Sequence, residues 1–404
     1  MKTGKLFMML AACSLALLSC SKAQNDGHGS QATSPDGGLM SLRGVARMLA
    51  SLPIGEEQLS EVWDAVSSSS GNGYDEEYMM CDLVGSPGAG VGDSPESRAR
   101  TRAAYKTPLR DLIADYYSAH ALTRAGGNTC VQALLEELSS SGMQIYWPYS
   151  EEWDGEQRPL ITFDPGYGAA SNYAYEIAWK DGSYEVLDSV YVDENVAASR
   201  PVWVVNRNDD SGFTPLELFT RSRSGASLLQ TRAPSAFDEE DESSEVFPHH
   251  NLLIKDFTML RQYDSWFCGA SEFFIQAGSL YARYADTEVE PGSFTPEVTQ
   301  LMIVVRRNQV GKKVPFEALL LSGFPDQLEQ FALLITESDG GTRTSWKCSA
   351  KVMIKSKSYG ADIEIPFYTN DDIVWRGAVG MDYLRSLGTA EGRFGDVRIS
   401  FDLQ

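Results

Sequence analysis

Apolar residues recur at helical spacing near the start of the chain. From Leu39, the residues Leu42, Val45, Ala46, Leu49 and Leu52 share one helical face, and Pro53 ends the run. The segment EEQLSEVWDAV continues the pattern with acids in its first turn, where the helix dipole favours them. TPLRDLIADYYSAHAL and CVQALLEELSSSG are amphipathic in the same way, while GSPGAGVGDSPES between them reads as loop. At Met143 the period changes. MQIYWPY, PLITFDP, YAYEIAW, SYEVLDSVYV and RPVWVVN predict strands, and Lys180-Asp181-Gly182 predicts a hairpin turn. After a serine-rich and then acidic stretch that includes DEEDESSE, short strand patterns follow one another: NLLIKDFTML, SEFFIQA, LMIVVRR, FEALLL, FALLITES, WKCSAKVMIK, DIEIPF and GDVRISFDL. The pattern predicts an α+β N-terminal domain over 39–222, an acidic linker over 223–248 and an all-β C-terminal antiparallel sandwich over 249–404.

The first residues carry an address. Lys2 and Lys5 precede the apolar run LFMMLAACSLALL, which is too short and wrongly flanked for a membrane span. The run ends in Leu17-Leu18-Ser19-Cys20, which resembles a bacterial lipobox. The resemblance implies a signal peptide over 1–19, lipidation at Cys20 and a glycine-rich tether over 20–38. Ser21 stands where an aspartate signals retention at the inner membrane, so a lipid anchor in the bacterial outer membrane is expected. SKAQND is only loosely similar to an acidic surface-export tag, which leaves the periplasmic face and the cell surface both open.

Charge narrows the partners. A formal net charge of −22 over 404 residues argues against nucleic acid, whose phosphates would be repelled. Cys81, Cys130, Cys268 and Cys348 remain for bridging after processing. The oxidising envelope permits Cys81–Cys130 with Cys268–Cys348, which keeps each bridge inside one predicted domain; buried thiols are the competing reading. Among four histidines none sits in an H-E-x-x-H motif, and G-x-S-x-G and S-x-x-K are absent. Cys268 with His249 or His250 is the best nucleophile–base pairing. Yet the acids Asp264 and Glu272 beside that thiol would raise its pKa and blunt it. Trp266, in the same turn, is expected to plug the end of the sandwich.

Carboxylates at strand ends carry the clearest chemistry. Asp264 follows one strand and Glu272 opens the next; Glu337 and Asp339 run off FALLITES; Asn370, Asp371 and Asp372 follow DIEIPF. Loops at one end of a sandwich can converge, and clustered oxygen ligands suit calcium. Asp264, Glu272, Glu337, Asp339, Asp371 and Asp372 are therefore candidate metal ligands. The same acids also fit as solvated turn residues, and spacing does not decide between the two. The layout resembles C2-type sandwiches in architecture, although the paired aspartates of their third calcium loop are absent.

Three stretches carry a family resemblance. D-x-W-x-x-G-x-S-E at Asp264 to Glu272, T-E-S-D-G-G-T at Thr336 to Thr342 and N-D-D-I-V at Asn370 to Val374 occur in this order. Together they resemble the C-terminal half of an uncharacterised family of secreted bacterial lipoproteins of the Bacteroidetes type. D-E-x-x-A-x-x-R-P-V-W-V at Asp193 to Val204 is similar to the region preceding that half. The resemblance implies location and shape, with a C2-like sandwich at the C-terminus, rather than a reaction. Cys268 departs from the pattern.

Aromatics give a second candidate surface. In IYWPYSEEWDG, Trp147 and Tyr149 alternate, so a strand could present both, and Trp153 follows beside acids. Such platforms grip sugars or peptides, and the same run also fits half-buried packing. The chain therefore reads as a non-catalytic binding or adhesion module of the envelope, calcium-stabilised, with a glycan or protein ligand. The alternative is a secreted hydrolase whose carboxylates are drawn from Glu151 and Asp154 or from Asp193 and Glu194.

Overall fold

The structure is a computed structural model that describes residues 40–85, 105–121, 131–166, 168–180, 183–208, 215, 249–282, 294–387 and 389–404. The expected signal peptide, tether and acidic linker lie outside the described residues, as do Cys20 and Cys130. The protein is mostly β, with several antiparallel sheets, few helices and a β-rich C-terminal region. No helix among the described residues is long and apolar enough to cross a membrane.

The N-terminal half begins with helices α1 (Leu42–Ala50), α2 (Glu56–Gly71), α3 (Met80–Val84), α4 (Leu109–Ala121) and α5 (Val131–Ser139). Ser41 caps α1 by accepting from Gly44 N at 3.0 Å. A short strand that the pattern did not reveal, β1 (Glu77–Met79), lies between α2 and α3. Next come β2 (Met143–Tyr146), β3 (Leu160–Phe163), β4 (Ser171–Lys180), β5 (Ser183–Asp193), the single turn α6 (Glu194–Ala197) and β6 (Val202–Arg207). They join in the order β1-β2-β6-β3-β4-β5, antiparallel except for the β3–β6 pair.

The apolar run Val202-Trp203-Val204-Val205 fails to alternate because both faces of β6 are covered. Trp203 and Val205 join Ile145, Ile161 and Tyr175 against the helices. Val202 and Val204 lie on the other face with Tyr146, Leu160, Ala174 and Val192, and their cover is Trp266 and Phe267 from the C-terminal half. This corrects the expectation that Trp266 plugs the end of its own sandwich. Its indole instead donates to Ala170 O at 3.0 Å, in the N-terminal half.

The C-terminal half contains β7 (His249–Met259), β8 (Ser271–Ala282), β9 (Phe294–Val305), β10 (Val314–Pro325), β11 (Leu328–Glu337), β12 (Arg343–Ile354), β13 (Lys357–Tyr368), β14 (Asp372–Gly380), the helix α7 (Met381–Leu387), β15 (Thr389–Phe394) and β16 (Val397–Leu403). One sheet runs β10-β7-β16-β15; the other runs β13-β12-β11-β8-β9, with β14 also paired to β11. Their inner faces share one core that includes Phe257, Phe273, Phe331, Ile335 and Phe401. The β12–β13 hairpin lies over β8, where Gly278 leaves room: a Cβ there would stand 3.0 Å from Ile363 Cγ2.

That placement excludes the Cys268–Cys348 bridge, and neither sulfur is in a disulfide. Cys348 pairs with Ile363, which packs over Gly278, whereas Cys268 precedes the start of β8 at Ser271. Seven strand residues separate Gly278 from that start, about 23 Å at the usual rise and far beyond the reach of a disulfide. Cys268 Sγ instead accepts from Ser265 Oγ at 3.2 Å. Cys81 lies exposed on α3, and its expected partner Cys130 is outside the described residues.

Phe267 belongs to a loop but is fully buried between the halves. Phe267→Ala should therefore cost about 3–5 kcal/mol in urea unfolding, as for a core phenylalanine. A loss below about 1 kcal/mol would mean that the loop does not seal the N-terminal sheet.

Candidate metal centre

Three loops meet at one end of the C-terminal half. Glu337 is the last residue of β11, paired with Asp372 on β14 and with Phe273 on β8, next to Glu272. Ser338 N donates to Glu272 O at 2.9 Å, which ties the β11 exit to the β8 entrance. Asp264 approaches from the loop before β8. In one group Asp264, Glu272 and Glu337 present oxygens that all lie within 4.8 Å of one another; in a second, Glu337, Asp339 and Asp372 do the same. Two oxygens on opposite sides of one calcium ion, each at about 2.4 Å, span this distance. These clusters of acidic residues could hold a metal ion.

The first group is buried, and the second opens outward through half-buried Asp339 to exposed Asp372. Glu337, 1% exposed, belongs to both. Among the described residues its buried Oε1 has no hydrogen-bond partner. Burial raises its pKa well above the ordinary 4.5, and Asp264, Asp339 and Glu272 push in the same direction. A carboxylate in this position needs a proton or a cation.

Asp371 departs from the expected ligand set. Its carboxylate is turned into the loops, accepting from Asp339 N at 3.2 Å and Tyr368 N at 2.9 Å. Asn370 N donates to Gly340 O and Thr369 N to Thr342 O, lacing the β11–β12 and β13–β14 loops together. Asp371 thus positions Asp339. Asp372 was expected in a loop but opens β14, a strand hidden because Asp-Asp reads as turn chemistry.

Between Asp264 and Glu272 the loop reaches into the N-terminal half. Asn206 Nδ2 donates to Phe267 O at 3.0 Å and to Cys268 O at 2.7 Å. Ala270 N donates to Asp75 Oδ2 at 2.9 Å. Gly269 has φ +141°, and a Cβ there would come within 2.8 Å of that Asp75 oxygen, so glycine is required. Arg307, 5% exposed, donates to Asp264 O, Gly269 O and Glu194 Oε1. Asp75, Asn206 and Arg307 were invisible in the sequence, because their partners lie far away in the chain.

The aromatic candidates separate. Strand β2 ends at Tyr146, so Trp147 and Tyr149 do not share a strand face. Trp147 is 1% exposed and wedged between Trp153 and Trp203, with ring centroids 5.2 and 5.7 Å apart. Tyr149 turns in the left-handed region at φ 60°, and its hydroxyl donates to Glu194. Tyr149, Trp153, Glu152 and Arg200 nevertheless line a hollow of about 260 Å³ with Trp147 at its wall. A larger open hollow of about 610 Å³ adjoins it, sharing Gln157, Ser199 and Arg200.

The carboxylates expected of a hydrolase have structural partners. Asp154 accepts from Glu156 N and Gln157 N in its own turn, and these bonds hold its carboxyl below the usual range. Asp193 caps α6 by accepting from Val196 N at 3.0 Å. Glu194 pairs with Arg307 at 2.8 Å, and Glu151 accepts from Asn308. His250 Nε2 lies 2.6 Å from Asp326 and is engaged there rather than with Cys268.

Comparison of the sequence with protein-family models and with curated proteins gives no match.

In chelator, the unfolded chain releases the Glu337 proton near 4.5 while the folded protein holds it to higher pH. The stability this contributes is complete below 4.5 and is lost as pH rises through the folded value. Glu76, raised by burial and by Glu151, adds a slope of the same sign. Glu337→Gln therefore isolates one part. In chelator the variant should melt above the parent at pH 8, and the gap should shrink toward pH 5. A gap independent of pH would refute a buried titrating carboxyl.

Proposed function

We propose that this chain is a non-catalytic binding or adhesion module of the bacterial envelope, held at the outer membrane by a lipid on Cys20 and stabilised by calcium. The observation that carries the calcium part is the buried Glu337 Oε1, which has no hydrogen-bond partner among the described residues and belongs to a side chain clustered with other carboxylates. Both groups offer carboxylate oxygens alone, without histidine or cysteine. Such a set favours a hard cation. Calcium accepts irregular oxygen cages, whereas magnesium demands near-octahedral geometry and sheds water reluctantly. In this reading the N-terminal half is an α+β domain and the C-terminal half a C2-like sandwich with its cation loops at one end. The family proposed is that of the secreted bacterial lipoproteins, on the three C-terminal stretches and the Asp193–Val204 segment.

The ligand surface proposed is the hollow lined by Tyr149 and Trp153, with Glu152 and Arg200 as polar partners. This mixture of ring faces and hydrogen-bonding groups suits a glycan or a peptide. The hydrolase reading has less support, because the carboxylates it would use are engaged in a turn, a cap, an ion pair and an amide contact.

Calcium at a hundredfold excess over its Kd should raise the unfolding free energy by about 2.7 kcal/mol, with magnesium giving much less. Asp339→Asn and Asp372→Asn should each weaken calcium binding in titration calorimetry without lowering the metal-free melting temperature. An identical melting temperature in calcium and in chelator would remove the metal from this reading. Trp153→Ala should abolish retention on whichever glycan or peptide array element the parent protein binds.

A further inference from the structure

We infer that the cation at the acidic cluster also fastens the two halves of the chain to each other, an inference that rests on the metal reading above. One loop, over 264–272, joins the acidic cluster to the N-terminal half. Its ends, Asp264 and Glu272, both contribute carboxylates to the same buried group as Glu337. Its middle, Trp266 to Ala270, makes the contacts with the N-terminal half. Only seven residues separate the two carboxylate-bearing ends. A cation drawing both ends to Glu337 fixes the span and direction of the segment between them. Repulsion among the same carboxylates, without cation or proton, spreads those ends apart.

The polar contacts of the middle depend on that span. Asn206 reaches two successive carbonyls, Phe267 O and Cys268 O, so it reads the local direction of the backbone. Gly269 lies against the Asp75 carboxylate without room for a methyl group. Arg307 bridges three separate points, with Asp264 O and Gly269 O on the loop and Glu194 on the N-terminal half. A shift of about 1 Å at Asp264 takes these bonds beyond hydrogen-bonding distance. Trp266 and Phe267 then lose their fixed seat against Val202 and Val204.

Coupling of this kind is reciprocal: if the cation tightens the junction, loosening the junction must weaken the cation. Asn206 gives a clean test. It is neutral, belongs to the N-terminal half and is not among the clustered carboxylates. In the full-length protein, terbium binding is read through tryptophan-sensitised luminescence, and calcium by competition against it. Asn206→Ala should weaken both ions by about 5- to 150-fold, the usual range of coupling between sites. Leu138→Ala, in the helical core of the N-terminal half and away from the loop, should leave both affinities within twofold of the parent.

Hydrogen exchange on the unmodified protein supplies a measurement that needs no variant. Calcium should slow exchange in β6, across the junction, as well as in the loop over 264–272. Terbium and calcium binding with no change in β6 and an unaltered affinity in Asn206→Ala would overturn the fastening while leaving the metal centre in place. No binding of either ion would overturn the metal centre, and the fastening with it.

Discussion

Carboxylates packed together inside a protein repel one another and forgo their hydration, so their burial must be balanced by a proton or a metal ion. Glu337 imposes this constraint on the C-terminal half. It stands at the end of β11 between β8 and β14, with Asp264, Glu272, Asp339 and Asp372 brought to it by three loops. The loops are built to keep the acids there. Asp371 holds the backbone of Asp339, Ser338 holds Glu272, and Arg307 holds the carbonyl of Asp264. An arrangement this well braced keeps its charge crowded even when the crowding is unfavourable.

The same loop gives the N-terminal sheet its second cover. Helices bury one face of that sheet, and Trp266 with Phe267 buries part of the other. The β-rich half thus completes a core that the first half leaves open. Polar groups finish the joint, since Asn206, Asp75 and Arg307 satisfy loop carbonyls and amides that burial would otherwise strand. The hollow beside Tyr149 and Trp153 lies in the N-terminal half. Tyr149 reaches the joint through Glu194, which Arg307 also grips.

Much of this was legible from local pattern. The strands from β2 to β6 and from β7 to β13 fall where apolar residues alternate or run together, and the acids at their ends gave away the converging loops. What was hidden depended on distant partners. Strand β1, Glu-Tyr-Met, is too short and polar to show a period, and its pairing with β2 brings in residues 65 or more positions away. Trp147 reads as a presented aromatic because a strand pattern continues through it, whereas the strand stops at Tyr146 and the indole turns inward. Asp371 and Asp372 look equivalent in sequence. Backbone geometry separates them: one carboxylate folds back onto loop amides while its neighbour starts a strand and faces out. Cysteine spacing suggested a bridge that the crossing of β12–β13 over β8 rules out.

Ala270 meets Asp75 across 195 positions of sequence, and that separation sets an order of events during synthesis. The N-terminal sheet is made first, with Val202, Val204, Leu160 and Tyr146 lacking the rings of Trp266 and Phe267 until more than sixty further residues have followed. Over that interval a sticky apolar surface is open to water and to other chains. A chain that emerges from its ribosome one end first therefore spends its most aggregation-prone moments just before the loop arrives, and the speed of that arrival bears on yield as much as the final stability does.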